Sequence, residues 1–353
     1  MLLQPPYLNL ILFSSRVLST VEERSQVLAS LTDAGFAPKI SPGGSLCNTL
    51  VTVSRLSRAA EHHISVALGG SSSSDALGSF FVSSLAEAGV GRFDTAAAAA
   101  HDMDAPPRGT TGLVFVLPSS DGQRSFLSFF EEETMVASSQ LLNAISKSRI
   151  VVVEGYLWCM PGAARAIQAI VDEAKKSGTQ IVLTAGDPGV VARYREDIWQ
   201  VLNSPSGREM ILFANREEAC ELLGLGRCCD AMKAAGDLGS LCSIAIVTDG
   251  SNGSFVSCMG RVEAVPPSPV NSDLLDTCGA GDAYAGAFLY ALMSGHLCCE
   301  AGQFASTVAA QVVSRHGSQL TQEEATQLIS NLPTNSLSSL DWISALEANL
   351  LGH

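Results

Sequence analysis

The amino-acid sequence predicts a doubly wound α/β fold, in which a mostly parallel sheet carries helices on both faces. Short runs of β-branched and apolar residues alternate with amphipathic stretches along much of the chain, and this strand-then-helix order is typical of parallel sheets. Hydrophobic residues make up 46% and charged residues 16% of the 353 residues. This composition is that of a globular protein and argues against collagen-like, coiled-coil and wholly disordered chains.

The individual elements follow from the same patterns. Six short apolar runs are predicted as strands: residues 66–68, 113–117, 150–153, 181–183, 210–213 and 244–247. Amphipathic stretches are predicted as helices: residues 20–34, 75–88, 161–176, 215–223 and a helix that ends at Ala60. The first helix begins with a capping box formed by Thr20 and Glu23 and ends at Gly35.

Residues 112–130 interrupt the alternation. A turn signal at residues 119–122 separates two strand patterns, which predicts a β hairpin rather than a strand–helix–strand unit. Such a hairpin is suited to cover an active site as a lid, and an ordinary edge hairpin is the alternative.

No linker rich in proline, glycine or charge divides the chain. We therefore expect a single domain over residues 1–353 with a small β lid at about residues 109–131. Residues 1–18 and 36–42 are further candidate parts of that lid.

The chain carries 21 basic and 35 acidic residues, a formal net charge of −14. A field of this sign repels phosphate backbones and anionic lipid headgroups, so we expect no nucleic-acid ligand. No apolar run reaches the ~18 residues that a membrane span requires, so we expect no contact with a membrane. An acidic protein that binds an anionic cofactor needs a local device for it, such as backbone amides or a bound cation.

Ten cysteines occur, without a CxxC pair or an HExxH motif. We expect them to be reduced and packed as small apolar side chains in a reducing compartment. Residues 1–20 have no basic residue ahead of their apolar patch, unlike a signal peptide. The predicted compartment is the cytoplasm, with a plastid as the alternative.

The most informative stretch is residues 276–288, DTCGAGDAYAGAF. From Tyr284 onward, apolar residues recur at helical spacing, which predicts a buried helix. The turn of Gly279, Ala280 and Gly281 then lies at the helix N-terminus, where free amides and the positive end of the helix dipole converge and small residues let a phosphate approach. This turn is the device that an anionic cofactor requires.

Asp282 falls in the first turn of that helix, beside the predicted anion site. A carboxylate next to a phosphate is costly unless it has another task, such as accepting a hydrogen bond from the hydroxyl that attacks the phosphate. The alternative is structural, because the dipole favours an acidic residue in the first turn and a glycine-rich start can serve close packing alone. The stretch is neither a Walker A loop nor a GxGxxG motif.

The same stretch resembles, residue by residue, the carboxy-terminal signature of the ribokinase/PfkB carbohydrate-kinase family, and the resemblance extends over about residues 20–317. Residues 41–49, SPGGSLCNT, resemble the family's substrate segment and are particularly similar to its adenosine-kinase branch. Residues 215–218, NREE, resemble its Asn-x-x-Glu motif, and residues 247–253, VTDGSNG, its nucleotide-binding turn. The overall pattern is also similar to plant and algal PfkB-like proteins.

The resemblance implies a ribokinase-like fold and transfer of the γ-phosphate of ATP to an alcohol. Asp282 would accept the proton of the substrate hydroxyl, and the amides of Gly279, Ala280 and Gly281 would stabilise charge on the transferred group. An ordinary aspartate is a weak base toward an alcohol. In a loose transition state the proton leaves late, so positioning matters more than basicity.

The resemblance also implies ATP-binding residues, namely Asn215, Thr248, Gly250, Gly253 and Thr277. Glu218 lies one helical turn from Asn215 and would face Mg²⁺-bound water or phosphate. The equally open alternative is that Asn215 is an N-cap and Glu218 its capping partner. Potassium, K⁺, is a second candidate cation.

The substrate contacts that the resemblance implies are Gly43, Gly44 and Asn48. The two glycines would let the backbone approach a sugar, and Asn48 offers a donor and an acceptor to its hydroxyls. The alternative is a loop followed by the cap of a helix.

The N-terminal segment departs from the family pattern. Family members normally begin with a strand that ends in a Gly-Asn and Asp segment, whose aspartate binds two substrate hydroxyls, whereas residues 1–19 contain no Asp. We expect the first strand to be absent or divergent, with Asn9 as one candidate substitute. Losing such a carboxylate would weaken binding by ~2–4 kcal/mol.

The predicted function is an ATP-dependent phosphotransferase that phosphorylates a hydroxymethyl group of a nucleoside or sugar. Residues 42–45 favour nucleosides. The alternatives are a free-sugar kinase similar to ribokinase or fructokinase, and a catalytically weak binding or scaffold protein of the same fold. The expected partner is a small molecule, and the chain is expected to be a monomer or a homodimer.

Overall fold

The computed structural model describes residues 15–18, 20–37, 39–94, 109–118, 124–130, 134–204, 207–226, 229–270, 276–330 and 332. The chain divides into two compact units. The small unit comprises residues 1–42, 72–84 and 100–133, and the large unit comprises residues 43–71, 85–99 and 134–353.

The predicted strands and helices are present, with ends that differ by a few residues, and further elements accompany them. The helices are α1 (Val21–Asp33), α2 (Ser45–Ala59), α3 (Ala76–Glu87), α4 (Ser139–Ile145), α5 (Ala163–Ser177), α6 (Pro188–Leu202), α7 (Arg216–Leu223), α8 (Ala231–Gly239), α9 (Ala280–Met293), α10 (Cys298–Val313) and α11 (Gln322–Ile329). The strands are β1 (Ser15–Val17), β2 (Val66–Gly70), β3 (Val90–Asp94), β4 (Leu113–Pro118), β5 (Arg124–Phe129), β6 (Ile150–Glu154), β7 (Gln180–Thr184), β8 (Ile211–Asn215), β9 (Ile244–Thr248), β10 (Ser254–Cys258) and β11 (Arg261–Val265).

The large unit is built on a six-stranded sheet with the order β11-β10-β9-β8-β7-β6. Strands β6 to β9 are parallel, whereas β10 pairs antiparallel with both β9 and β11. Strands β2 and β3 form a separate parallel pair. The predicted mostly parallel sheet is therefore confirmed, and its antiparallel edge is a feature that the sequence pattern did not predict.

Helices cover both faces of this sheet, as the side chains of β8 show. Leu212 and Ala214 join the apolar core that is completed by residues of α5 to α8. Phe213 points to the opposite face and packs edge-on against Phe288 of α9, with 5.5 Å between ring centroids. Successive side chains of a strand point to opposite faces, so a continuous apolar run is required when both faces are covered.

Helix α2 lies directly against α9 because both helices present small or polar residues at their contact. A Cβ atom on Gly286 would stand 2.6 Å from the carbonyl oxygen of Thr49 and 2.8 Å from Cβ of Thr52, so only glycine permits this approach. The hydroxyl of Thr49 also donates to the carbonyl oxygen of Asp282, at 3.2 Å. The close packing brings the start of α2 next to the start of α9.

The small unit contains a three-stranded sheet with the order β1-β5-β4. Strands β4 and β5 pair antiparallel, as expected of the predicted hairpin, and β1 adds parallel to β5. Leu18, Leu127 and Phe129 form its apolar core, and the guanidinium of Arg24 in α1 lies 5.1 Å from the centre of the Phe129 ring. Helix α1 is capped as predicted, since the hydroxyl of Thr20 accepts from the amide of Glu23.

Some sequence predictions fall outside the described residues. The turn at residues 119–122 and the candidate substitute Asn9 belong to this group. In the candidate lid segment 36–42, the described residues contain no strand.

The cysteines differ from the expectation in one place. Cys220 of α7 and Cys229 form a disulfide across a sequence separation of 9, whereas Cys47 and Cys242 are buried free thiols. The pairing was not predictable from spacing, because it depends on the loop that folds back onto α7. Within the part of the chain that the structure describes, no helix has the length and apolarity to cross a membrane.

Candidate active site

The start of α9 forms a turn whose backbone amides are available. Gly279 is the N-cap, with φ 77°, and the amide of Ala280 donates to the carbonyl oxygen of Thr277 at 3.3 Å. No hydrogen bond among the described residues engages the amides of Gly279, Gly281 or Asp282, and Gly281 is exposed. The predicted anion-binding turn is thus present as free donors at a helix N-terminus.

A neighbouring loop supports this turn from behind. A Cβ atom on Gly279 would stand 2.3 Å from the carbonyl oxygen of Ser318, so the turn and the loop are in direct contact. The carboxylate of Asp276 accepts from the amide of Cys278 at 2.9 Å and from the amide of Gly317 at 3.3 Å. Asp276 therefore joins the two segments and fixes the direction of the free amides.

The carboxylate of Asp282 is held by two residues at the start of α2. The hydroxyl of Ser45 donates to Oδ1 at 2.7 Å, and Nδ2 of Asn48 donates to Oδ2 at 2.8 Å. Burial raises the pKa of Asp282, and the hydrogen bonds from Asn48 and Ser45 act in the opposite direction. Each carboxylate oxygen has two lone pairs, so one acceptor position per oxygen is left for a substrate hydroxyl.

A second carboxylate, Glu154 at the end of β6, lies beside Asp282 and was not predicted from the sequence. It accepts hydrogen bonds from the amide of Leu46 and the hydroxyl of Ser45. Burial, followed by the charge of Asp282, raises the pKa of Glu154 to about 7. The available signal was its place at the carboxyl end of a parallel strand, where α/β sheets bind ligands.

The glycine segment at the start of α2 combines both roles considered for it. Gly44 is the N-cap of α2, with φ 98°, and Gly43 is exposed, with open space for 4 Å around the position that a Cβ atom would take. Asn48 is buried, and its Oδ1 accepts from the hydroxyl of Ser318 at 3.3 Å. Both polar functions of Asn48 thus contact protein groups, which makes it a residue that orients Asp282.

Asn215 and Glu218 form the structural alternative that the sequence left open. Oδ1 of Asn215 accepts from the amide of Glu218 at 2.9 Å, while the Glu218 carboxylate accepts from the amide of Asn215 at 2.8 Å and from its Nδ2 at 2.6 Å. This is a complete capping box at the start of α7. Burial is the main cause that raises the pKa of Glu218 to about 7.

The nucleotide turn lies at the same edge of the sheet as Asn215. Thr248 ends β9 and is the Cα partner of Asn215 in the parallel register of β8 and β9. Gly250 is exposed with φ 55°, and Gly253 has φ 91° with a Cβ position only 2.2 Å from the carbonyl oxygen of Val265. Both glycines are therefore required by the backbone of the turn.

Thr277 is exposed just ahead of the glycine turn at the start of α9. Its carbonyl oxygen is the acceptor for the Ala280 amide described above.

The carboxylates of this edge surround one phenol. Burial and the negative charges of Asp187, Glu218, Glu154 and Asp282 all raise the pKa of Tyr156. These acids come from the carboxyl ends of β6 and β7 and from the first turns of α7 and α9. The site therefore has an anionic potential on one side and free amides at the start of α9.

A metal ion has limited protein ligands here. Within the described residues, no three His, Cys, Asp or Glu side chains come close enough to hold one. Mg²⁺ in kinase sites is commonly bound through one or two carboxylates, water and substrate phosphates. The buried Glu218, in the negative field of Asp187, Asp282 and Glu217, fits such a contact through water.

Comparison with known sequences identifies relatives over most of the chain. The profile of the pfkB family carbohydrate kinases matches residues 18–325. The 5-dehydro-2-deoxygluconokinase of Clostridium perfringens is 27% identical over 292 residues, which are 78% of this chain and 78% of that protein. A protein of the same name from Shouchella clausii is 25% identical over 210 residues, covering 59% of this chain and 64% of that protein.

Solved structures agree with this relationship. A probable sugar kinase from Rhizobium etli superposes with a TM-score of 0.77 at 25% identity, and the match covers 92% of each chain. The adenosine kinase from Sinorhizobium meliloti superposes with a TM-score of 0.75 at 26% identity, again over 92% of each chain. The architecture described above is thus shared with kinases of small alcohols.

Proposed function

Because the chain belongs to the pfkB family of carbohydrate kinases, we propose that it transfers the γ-phosphate of ATP to a hydroxymethyl group of a neutral nucleoside or sugar. The family makes the chain a phosphotransferase of the ribokinase-like fold. The observation that carries the proposal is the position of the Asp282 carboxylate beside amides that have no partner in the described chain.

Asp282 receives the proton in the proposed reaction. The acceptor hydroxyl donates to a free position on the carboxylate while its oxygen bonds to the γ-phosphorus, and the bond from phosphorus to the bridging oxygen of ADP breaks. Ser45 and Asn48 hold the carboxylate in place throughout. The amides of Gly279, Gly281 and Asp282, with Ala280 completing the turn, stabilise the charge on the transferred group.

ATP would contact the edge formed by the ends of β8 and β9. The proposed contacts are Asn215, Thr248, Gly250, Gly253 and Thr277, and the register that places Asn215 beside Thr248 supports them. Glu218 would contact Mg²⁺ through water, and the metal would offset the negative charge of the phosphates. K⁺ stays a second candidate cation.

The charge of the site favours a neutral acceptor. Every charged group that acts on the pKa of Asp282, Glu154 or Glu218 in the described chain is a carboxylate. An acceptor that carries its own carboxylate would be repelled here, because like charges at short range are unfavourable in a partly buried site. Gly43 and Gly44 leave room for a neutral ring near Asp282.

The relatives offer acceptors of both kinds. By name, the curated relatives phosphorylate 5-dehydro-2-deoxygluconate, a sugar acid, and the Sinorhizobium structure is an adenosine kinase. The acidic site supports a nucleoside, and the SPGGS segment is in line with it. A neutral free sugar is the second candidate, supported by the similarity to the Rhizobium sugar kinase.

The departure at residues 1–19 favours a third candidate function, that of a binding or scaffold protein of low turnover. No aspartate is available there to bind two substrate hydroxyls. A protein of this kind would bind ATP without consuming it.

ADP release by the purified full-length chain tests these candidates. With Mg²⁺ and ATP, we expect ADP release that depends on adenosine or another neutral acceptor in a panel that includes ribose, fructose and 5-dehydro-2-deoxygluconate. Asp282→Asn should reduce turnover by about 10³-fold or more while ATP binding persists. Asp172→Asn, an exposed carboxylate of α5, is the matched control and should leave turnover unchanged.

The outcomes separate the candidates. ATP binding without turnover on the whole panel would support the scaffold function, and full activity of the Asp282→Asn variant would refute the catalytic role. Turnover restricted to the sugar acid would contradict the neutral acceptor.

We also propose that the β4–β5 hairpin, within residues 109–131, acts as the lid of a single catalytic domain. Its antiparallel pairing supports this role. A monomer or homodimer and a cytoplasmic location, with a plastid as the alternative, stay predictions; light scattering and imaging of a tagged chain would measure them.

A further inference from the structure

Two cysteines outside the proposed active site bring their sulfur atoms into contact. Cys258 is the last residue of β10, and Cys298 is the first residue of α10. Their Sγ atoms are 3.0 Å apart, and both residues are half-buried free thiols. A disulfide has a sulfur–sulfur distance of about 2.05 Å, so about 1 Å of approach separates this contact from a covalent bond.

The contact is fixed by the packing of α10 on the sheet. One turn further along α10, a Cβ atom on Gly302 would stand 2.9 Å from Cγ2 of Val265 and 3.4 Å from Cγ2 of Val256. The glycine lets the helix approach β10 and β11 closely. Cys258 is itself held by pairing with Ile244 in β9 and Arg261 in β11, so neither sulfur depends on a free loop for its position.

We propose that Cys258 and Cys298 are a site of reversible disulfide formation, oxidised by exchange with the disulfide of a small thiol such as oxidised glutathione. The thiolate of Cys258 attacks one sulfur of the small disulfide and expels one thiolate. The thiolate of Cys298 then attacks Cys258 in the mixed disulfide and expels the second. Two electrons pass from the cysteine pair to the small disulfide, and the two cysteine protons end on the two released thiols.

The surroundings assign the two cysteines their order of reaction. Cys298 donates its hydrogen bond to Cys258 and lowers the Cys258 pKa, whereas the same bond, together with burial, raises the Cys298 pKa. Cys258 is therefore the attacking group. The neighbouring Cys299 has a pKa raised to about 11 by burial and by Glu263, which disfavours it as a competitor.

The bond would close a segment that contains the candidate active site. Residues 258–298 include the glycine turn, Asp282 and the whole of α9. A cross-link over about 40 residues restricts the unfolded chain, and in a protein of this size we expect it to raise the melting temperature by about 5 °C.

Peptide mapping of the full-length chain tests the proposal directly. The reduced protein is equilibrated with mixtures of reduced and oxidised glutathione, alkylated and digested without reduction. Trypsin cuts after Arg261, between the two cysteines, so the bond joins two peptides that tandem mass spectrometry can assign. We expect a Cys258–Cys298 link that disappears on treatment with dithiothreitol.

Three substitutions make the result specific. Cys258→Ser and Cys298→Ser should each abolish the link and the glutathione-dependent rise in melting temperature, whereas Cys299→Ser should retain both. Cys258→Ala serves as a second variant if the serine destabilises β10. The proposal is overturned if Cys258 and Cys298 are both alkylated in mixtures that oxidise Cys220 and Cys229, or if Cys258 links to Cys299 instead.

Discussion

Asp282 and Glu154 carry the chemistry of the site in different ways, although both are carboxylates at the edge of one sheet. Asp282 is bound by Ser45 and Asn48, whose hydrogen bonds favour its charged form. Glu154 shares the hydroxyl of Ser45 but also faces the charge of Asp282. Because one hydroxyl proton cannot serve two carboxylates at once, the neutral form of Glu154 is favoured close to neutral pH.

The shifted pKa of Glu154 makes the stability of the folded chain depend on pH. The pKa is raised from 4.5 to about 7, so the folded state binds this proton more tightly than the unfolded state. The resulting stabilisation is complete below about pH 4.5 and is lost as pH rises through about 7. Glu154→Gln keeps a neutral side chain at every pH, and we expect it to raise the free energy of unfolding by about 1–3 kcal/mol at about pH 8.

Urea unfolding at about pH 5 and pH 8 measures this effect. At the lower pH the variant and the wild type should have nearly equal stability, since Glu154 is then mostly protonated. Glu196→Gln, an exposed carboxylate of α6, should show no such pH-dependent difference. A Glu154→Gln variant that is less stable than the wild type at the higher pH would contradict the assigned environment.

At the scale of elements, the start of α9 has two glycines with different tasks. Gly279 has a positive φ and lies against Ser318, so a side chain there is excluded by the fold. A Cβ atom added to Gly281 would meet no atom within 4 Å, and the residue is exposed. The first glycine is therefore structural, and the second keeps space open for a ligand.

Substituting the two glycines separates stability from activity. Gly279→Ala should lower the free energy of unfolding by about 2–4 kcal/mol, because it combines an unfavourable φ with a backbone clash. Gly281→Ala should change stability by less than about 1 kcal/mol yet lower kcat/KM about 10-fold or more, since its methyl group would occupy the approach of the phosphate. Wild-type kinetics for Gly281→Ala would contradict the proposed phosphate position.

The capping boxes of α7 and α11 provide a second comparison of elements. Thr321 and Glu324 cap α11 in the same manner as Asn215 and Glu218 cap α7. Asn215→Ala and Thr321→Ala should each cost about 1 kcal/mol of stability. Only Asn215→Ala should weaken ATP binding, measured by calorimetry, because α7 begins at the proposed nucleotide edge; an equal loss in both variants would reduce Asn215 to a capping residue.

At the scale of the whole molecule, the sequence predicted what local patterns encode. The apolar runs that become β6 to β9 and the glycine turn before Asp282 are contiguous, so spacing alone located them. Glu154 was missed because only the packing of β6, α2 and α9 brings it to Asp282. The bond from Asn48 to Asp282 and the disulfide of Cys220 likewise depend on contacts between distant segments.

The net charge of −14 adds a long-range effect to the acidic site, and ionic strength makes it measurable. Raising the ionic strength from about 0.01 to 0.15 M shortens the Debye length from about 30 to 8 Å and screens the repulsion of an anionic acceptor. At saturating Mg²⁺ and ATP, kcat/KM for 5-dehydro-2-deoxygluconate should therefore rise about threefold or more, or its turnover should be undetectable at low salt. Adenosine is neutral, so its kcat/KM should stay nearly constant in the same series. A decrease with salt for the sugar acid would mean that a cationic group faces the acceptor, and the neutral-acceptor proposal would then be wrong.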